Sequence, residues 1–482
     1  MTRAPADAVR GRMARTGPFL ALGTAGFFAV LLVALAPRHS PMAIGFVAAA
    51  TASGAAVAVL EARRPRLRAR HVAAVVAVVL GVAIATPPRT SNDLWSYTMY
   101  GRIVADHGAS PYDKVPSDFR SDPFFGRVSP IWRDRASVFG PVWVAFSAGA
   151  SEVGGDSPLA NRLAFQLAAG LAVGAVLLVV WRRTRSPAAL AWFGLHPVVV
   201  VAVNGGHNDL WVGLGILAAA LLAARRRAGA AGVLVGLVAL VKLTALLALA
   251  GIVLWLWHRR DRAGVLRVAL AAGAVVAVGY APFVGTATHV LGEADHTVTA
   301  GSLWNPLAEA LVGHDAGRSL SHPLGPNATL DALFFASLAL VAAVAMVAAW
   351  RRRARPTPVP GVAAASASYA VAAEYTLPWY ATWALPSFTS DRPSRLAWLV
   401  WFQAAFLLAA LKLPIHASGS ALDVPFRAFL SYVAPVGFAV AFVYLAVGGA
   451  GRGAAADPAP SAPSRPNWHG GRATDPMGRA GA

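Results

Sequence analysis

The chain contains no cysteine, which excludes disulfides and thiolate metal sites at once. It is also short of charge. Only 13% of its 482 residues are Asp, Glu, Lys or Arg, about half the share usual in soluble domains. Acids are the scarcer sign, with 22 Asp and Glu against 42 Lys and Arg. Apolar sequence takes their place: 57% of the chain is hydrophobic and its mean hydropathy is +0.55. That balance excludes an ordinary soluble domain and points to an all-α, polytopic membrane protein.

The formal charge of +20 would suit nucleic acid if it formed one continuous surface. Instead arginine falls in short clusters between apolar runs, at 63–70, 182–185, 225–227, 259–262 and 351–355. This is the pattern that holds short loops in the cytoplasm, and no nucleic-acid partner is expected. Runs able to span lie at 18–36, 42–61, 71–87, 161–181, 187–204, 207–224, 264–285, 331–350, 360–377, 395–413 and 429–449. The first is nearer a full span than a signal-peptide core, and Pro37 disfavours cleavage.

Two stretches need a different shape. Residues 228–257 lie between two basic clusters, so both ends belong on one side. A hairpin of two short helices turning near Lys242 satisfies this; one long helix does not. The run 378–389, opening on Pro378, is expected to return as a short broken helix. The total is about 11–14 membrane or membrane-embedded helices.

With both termini in the cytoplasm, the domain plan is a segment 1–17, a membrane domain 18–449 and a tail 450–482. The tail is rich in Gly, Ala, Pro and Ser and is expected to be disordered. Two larger loops, 88–160 and 286–330, fall on the extracytoplasmic face of a plasma membrane. The first is expected to carry short interfacial helices, one of them at Phe139–Phe146. Most of the acids gather on that same face, although the orientation rule uses only Lys and Arg.

The acids also mark where chemistry belongs. Asp93 follows an apolar run and opens a polar stretch in which Asn92, Trp95, Tyr97, Tyr100 and Arg102 supply hydrogen-bonding, stacking and cationic groups suited to a sugar. An N-cap or a solvated loop acid is the bland reading. A partly desolvated carboxylate at the interface suits a general base that takes a proton from a hydroxyl. Asn204-Gly-Gly-His207-Asn208-Asp209 places a tight turn before the next helix. Asn208 or Asp209 suits an N-cap, and an outward helix N-terminus attracts phosphate.

Lys242 stands alone in an apolar run. A lysine at mid-bilayer costs roughly 2.5–3.5 kcal/mol on insertion scales; at a hairpin tip it snorkels to the interface, where a lipid phosphate lies. An aromatic belt accounts for Trp379, Tyr380 and Trp383 without function, but Glu374 so near the apolar run is harder to dismiss, and Glu374, Trp379 and Tyr380 are candidate substrate-binding residues. Trp304-Asn305 is a weaker sugar-binding signal. The loop histidines His289, His296, His314 and His322, with Glu293 and Asp295, lack the spacing of a zinc site. No metal and no cofactor are expected.

In order, Asn92-Asp-Leu-Trp-Ser-Tyr97, Tyr100-Gly-Arg102, Ser110-Pro-Tyr112, Pro123-Phe-Phe-Gly-Arg-Val-Ser-Pro-Ile-Trp-Arg133, Phe139-Gly-Pro-Val-Trp143, His196-Pro197, Gly205-Gly-His-Asn-Asp209, Lys242 and Leu377-Pro-Trp-Tyr380 resemble the GT-C glycosyltransferases. The resemblance covers about 88–390 and is to the actinobacterial polyprenol-phosphate-mannose-dependent alpha-1,6-mannosyltransferases of lipomannan synthesis. It implies a GT-C fold, a polyprenyl-phosphate-mannose donor and a mannan-type lipoglycan acceptor. It also implies Asp93 as the base, inversion at the anomeric carbon, and a leaving phosphate held by Lys242, His207 and Arg102 or another loop arginine. Arabinosyl or glucosyl transfer and polymer ligation are compatible with the same residues. A transporter of lipid-linked sugars is the reading from another class; it would set charges along a midplane pathway between related halves, and the chain shows no internal repeat.

Overall fold

A computed structural model describes residues 4–37, 39–285, 298–312, 328–391, 394–413 and 423–448. The helices are α1 (Ala4–Ala34), α2 (Pro41–Arg63), α3 (Ala69–Ala85), α4 (Asp93–Ala105), α5 (Pro141–Gly154) and α6 (Pro158–Thr184). They continue with α7 (Pro187–Gly194), α8 (Pro197–Asn204), α9 (Asp209–Ala224), α10 (Ala228–Ala239), α11 (Leu247–His258) and α12 (Arg262–Tyr280). The last are α13 (Asn305–Val312), α14 (Ala328–Arg352), α15 (Val359–Ala372), α16 (Leu385–Thr389), α17 (Arg395–Leu411), α18 (Asp423–Ala428) and α19 (Ala434–Val443). No strand occurs among the described residues. A helix satisfies its own backbone, which is what a chain this apolar requires in lipid.

Local sequence explains several of the starts. Ser40-Pro41, Ser157-Pro158 and Ser186-Pro187 each place a serine at the N-cap, whose hydroxyl accepts from an amide of the first turn, with proline at the first helical position. Among the described residues, six helices are long and apolar enough to cross a membrane: Thr16–Ala34, Pro41–Arg63, Pro158–Thr184, Arg262–Phe283, Ala328–Arg352 and Phe429–Val447. The chain is therefore a multi-pass membrane protein. Other expected spans are shorter. The helices at 69–85, 209–224, 359–372 and 395–411 have 14–17 residues.

The expected single span 187–204 is instead two eight-residue helices, α7 and α8, bent by 53°. Pro197 has no amide to continue the ladder, and His196 fills the break. Its Nε2 lies 3.0 Å from the Trp401 carbonyl, and the Val198 amide donates to its Nδ1. The apolar run concealed the break because proline and histidine sit between uninterrupted hydrophobic stretches.

The hairpin expected at Lys242 is present. α9 runs from Asp209 to the arginines at 225–227, and α10 returns, so that Lys242 meets Asp209 again. α11 then descends to the arginine end, where the Trp255 indole donates to the Arg355 carbonyl and Arg259 to that of Pro356. The tip is fixed by the 88–160 segment. The Gly140 and Val142 amides donate to the carbonyls of Val241 and Leu240 at 3.1 and 3.0 Å. A Cβ on Gly140 would stand 2.2 Å from the Leu240 oxygen. Gly140→Ala is therefore expected to cost about 1–3 kcal/mol, as overpacking does, and to lower the unfolding temperature in detergent. Gly149→Ala, at a position with no atom within 4 Å of the added methyl, should leave it unchanged or slightly raised.

Between residues 88 and 160 the chain forms α4 and α5, joined by three 3₁₀ turns. The expected interfacial helix at 139–146 is α5, longer than its motif at 14 residues. The broken return is also present, as a 3₁₀ helix Pro378–Trp383 followed by α16. Residues 286–297, 313–327 and the tail from 449 lie outside the described residues. So do the expectations for His289, Glu293, Asp295, His296, His314 and His322, and for tail disorder.

Candidate active site

Asp93 is positioned by a buried polar knot behind it. The Asn204 side-chain amide donates to the carbonyls of Ala83, Thr86 and Pro87 at 3.0–3.1 Å, and its oxygen accepts from the Arg89 amide at 3.0 Å. Gln166 donates to the Asn204 carbonyl at 2.7 Å, and Arg162 donates to that of Ala85. These bonds satisfy the carbonyls left over at the end of α3. They also tie the segment 86–92 to the end of α8. The Asp93 amide donates to Ser91 Oγ at 3.1 Å as α4 begins. Gly206 holds φ +63° in the turn after α8. That left-handed conformation favours glycine and swings His207 toward Asp93.

The result is a chain of ionisable groups. His207 Nδ1 lies 3.5 Å from Asp93 Oδ2 and 3.9 Å from Asp209 Oδ2. Its ring stacks on Trp379 with centroids 4.1 Å apart. Asp209 Oδ1 accepts from Lys242 Nζ at 2.9 Å and from the Trp383 indole at 2.7 Å. The Lys242 ammonium also stands over Tyr380 and Trp383, 4.3 and 5.1 Å from the ring centroids. His207, Asn208 and Asp209 are fully buried, whereas the Asp93 side chain keeps 24% of its exposure. Neither His207 nitrogen, neither Asn208 amide atom nor Asp209 Oδ2 has a hydrogen-bond partner.

Asp93, Asp209 and Lys242 open on a cavity of about 680 Å³. Tyr97, Glu374, Trp379 and Tyr380 share its wall. Beyond the polar end it continues as an apolar groove between α11 and α14, lined by Leu247, Ala250, Val253, Leu338, Val341 and Ala345. One end offers a carboxylate, a lysine and aromatic faces, and the other is mostly hydrocarbon.

Several residues singled out in the sequence lie elsewhere. Arg102 does not line the cavity. Its guanidinium meets Asp122, Asp106 and Asp156 at 2.8–2.9 Å and donates to the Gly155 carbonyl. It is a structural residue of the 88–160 segment. Trp95 packs beside Phe124 with Arg127 over its ring, and Asn92 is the half-buried N-cap of α4 with no side-chain capping bond. The N-terminus of α9 is buried and carries the Asp209 carboxylate, paired with Lys242, in its first turn. Trp383 belongs to the core and not to an interfacial belt. Trp304 and Asn305 pack against α15 and Glu309.

Arg135, Trp132 and Tyr375 line the cavity without having been assigned a site role, although Trp132 lies within one of the motifs. The Arg135 guanidinium lies over Trp132, 5.4 Å from its centroid. Arg135 is one of several arginines in an irregular segment, and no periodicity distinguishes it from Arg120, Arg127 or Arg133.

Burial alone would raise the Asp122 carboxyl. The Arg102 guanidinium, the Phe124 amide and His107 outweigh it and hold the group below the ordinary carboxylate range. Because the folded value is depressed, Asp122 contributes stability above the unfolded pKa near ~3.9 and loses it as pH falls through the folded value. The 88–160 segment is expected to loosen only in that acid window. Arg102→Met leaves the buried Asp122 carboxylate with only His107 and the Phe124 amide and should cost about 3–5 kcal/mol. A double-mutant cycle with Asp122→Asn, read as unfolding temperature, should show strong coupling; additive losses would contradict the pairing.

Fold and site together define an all-α, multi-pass membrane protein of the GT-C type, with a polar cavity that continues into an apolar groove. Residues 13–259 match the family described as Alpha-(1->6)-mannopyranosyltransferase, N-terminal domain, and residues 155–377 match Glycosyltransferase family 87. The chain belongs to the alpha-(1->6)-mannopyranosyltransferase family. It is 28% identical over 336 residues to Alpha-(1->6)-mannopyranosyltransferase A of Mycobacterium tuberculosis, covering 64% of this chain and 62% of that relative. Over 172 residues it is 28% identical to the A protein of Corynebacterium glutamicum, with 34% of this chain and 35% of the relative covered. Over 132 residues it is 31% identical to the B protein of that species, with 26% and 22% covered. The chain thus spans less than two thirds of the length of the curated relatives it matches.

Proposed function

We propose that the chain is a membrane glycosyltransferase. It moves mannose from a polyprenyl-phosphate-mannose donor to a mannan-type lipoglycan acceptor, with inversion and formation of an alpha-1,6 linkage. One observation carries the reading: a partly exposed carboxylate, Asp93, shares one cavity with Lys242 and an apolar groove. A lipid-linked sugar has the same order of parts. Its prenyl chain suits the groove between α11 and α14, its phosphate suits the Lys242 end, and its sugar then lies against Asp93 and the aromatic wall.

In the reaction, the acceptor C6 hydroxyl oxygen attacks the anomeric carbon of a beta-linked mannosyl phosphate. Asp93 accepts the hydroxyl proton, the new carbon–oxygen bond forms, and the bond from the anomeric carbon to the phosphate oxygen breaks. Polyprenyl phosphate leaves with that electron pair. Lys242 and Arg135 are the cavity-wall cations suited to stabilising the charge it gains. His207 stands 3.5 Å behind the base. The chemistry calls for no cofactor or metal.

The site end is proposed to face the extracytoplasmic side of the plasma membrane, with both termini in the cytoplasm. The arginine clusters at the opposite end of the α9–α12 bundle support that orientation. Reporter fusions at Ser121 and Ala455 should give opposite sidedness, and the same side for both would overturn it. The activity is tested with purified protein in proteoliposomes given radiolabelled polyprenyl-phosphate-mannose and short mannan acceptors. Label should enter the acceptor from the lipid donor and not from GDP-mannose. Transfer from the nucleotide donor alone would overturn the proposal.

A further inference from the structure

Glu374 is an acid that the transfer scheme leaves without a task. It retains 3% of its exposure, lines the cavity, and has an Oε2 with no hydrogen-bond partner. Its main chain is held firmly. The Thr299 amide and hydroxyl both donate to the Glu374 carbonyl, at 3.0 and 3.2 Å, and the Thr376 amide donates back to Thr299 Oγ1 at 3.0 Å. Ser302 and the Trp304 indole donate to the neighbouring carbonyls of Ala373 and Ala372 at 2.8 and 2.7 Å. The fold therefore holds the main chain from which the carboxyl group projects, while its Oε2 stays unbonded. Burying a carboxylate without a partner is among the costlier things a fold can do, so a partner that arrives with ligand is the economical explanation.

The surroundings say what kind of ligand. Tyr375, Trp379 and Tyr380 line the same wall. Aromatic faces accept the C–H side of a sugar ring, and a carboxylate accepts hydrogen bonds from its hydroxyls. A phosphate is repelled by a carboxylate, and a prenyl chain offers it no donor. We propose that Glu374 accepts hydrogen bonds from two neighbouring hydroxyls of the pyranose held in the cavity, and so selects which sugar is bound. This deepens the glycosyl-transfer reading and rests on it.

Two measurements on the intact protein test the assignment. In transfer assays, Glu374→Gln keeps the side-chain shape but replaces one carboxyl oxygen with an NH2 donor, and should raise KM for one sugar substrate roughly tenfold to hundredfold with kcat little changed. A rise confined to the donor assigns the carboxylate to the donor sugar, and a rise confined to the acceptor assigns it to the acceptor sugar. Glu374→Asp should keep part of the affinity. Separately, saturation-transfer NMR with methyl alpha-mannoside should show contact in the wild type that Glu374→Gln abolishes. Unchanged KM for both substrates, or a fall in kcat alone, would overturn the proposal, as would undiminished glycoside contact in the variant. If wild-type protein binds the glycoside but transfers nothing, the transfer reading fails and the sugar-binding role is judged on the NMR alone.

Discussion

Asp93→Asn is expected to fold, insert and bind its substrates while losing transfer by roughly 10²–10⁴-fold, the usual contribution of a positioned general base. The amide keeps the shape of the carboxylate and takes no proton. The structure gives a reason to expect normal folding. The α4 terminus is set by the Asp93 backbone amide on Ser91 Oγ and by the Asn204 knot, and these bonds use no side-chain oxygen of Asp93. Its carboxylate meets His207 at 3.5 Å, longer than a strong hydrogen bond. Initial rates with saturating lipid donor and acceptor measure the loss. Near-wild-type turnover would remove Asp93 from the chemistry and turn attention to Asp209.

The second large effect belongs to Lys242. Read from the sequence, Lys242→Met should weaken donor use by roughly tenfold to hundredfold, as loss of a charge-assisted contact does, and leave protein levels untouched. The contact with Asp209 changes the second half of that expectation. The Lys242 side chain keeps 16% of its exposure and Asp209 1%, so removing the ammonium leaves a buried carboxylate whose one bonded oxygen keeps only the Trp383 indole and whose other oxygen lacks a partner. Breaking such a pair costs about 3–5 kcal/mol. Lys242→Met alone should therefore lose both stability and donor use. Adding Asp209→Asn should restore the unfolding temperature and leave donor KM impaired. Lys242→Arg, which keeps the charge, should recover part of both. A single Lys242→Met variant that is as stable as wild type would contradict the pairing, and unaltered donor kinetics would contradict the phosphate role.

Much of this was legible in the sequence wherever charge and lipid impose strong rules. The hairpin at Lys242 follows from two arginine clusters that must share a side, and the structure has it. Asp93, Asp209, Lys242 and Glu374 stand out because an acid or a lone lysine beside an apolar run is costly, and the fold brings all four to one cavity. What the sequence concealed depends on partners distant in the chain. Arg102 looks like a ligand-binding cation until Asp122 and Asp156 close around it. Trp383 looks like a belt residue until its indole is found on Asp209, 174 positions away. The break at His196 is invisible to hydropathy, since both halves are equally apolar. The groove between α11 and α14 arises from helices separated by the whole of 259–327, and no local pattern announces it.

The account stands most directly on the stereochemistry of one turnover. Proteoliposomes holding the wild-type chain, given a beta-linked polyprenyl-phosphate-mannose and a synthetic mannan acceptor, should yield a single new mannose joined alpha-1,6, by NMR of the product. Direct displacement by a hydroxyl activated at Asp93 predicts that inversion. A beta-linked product, or an alpha-linked product formed at undiminished rate by Asp93→Asn, would contradict it.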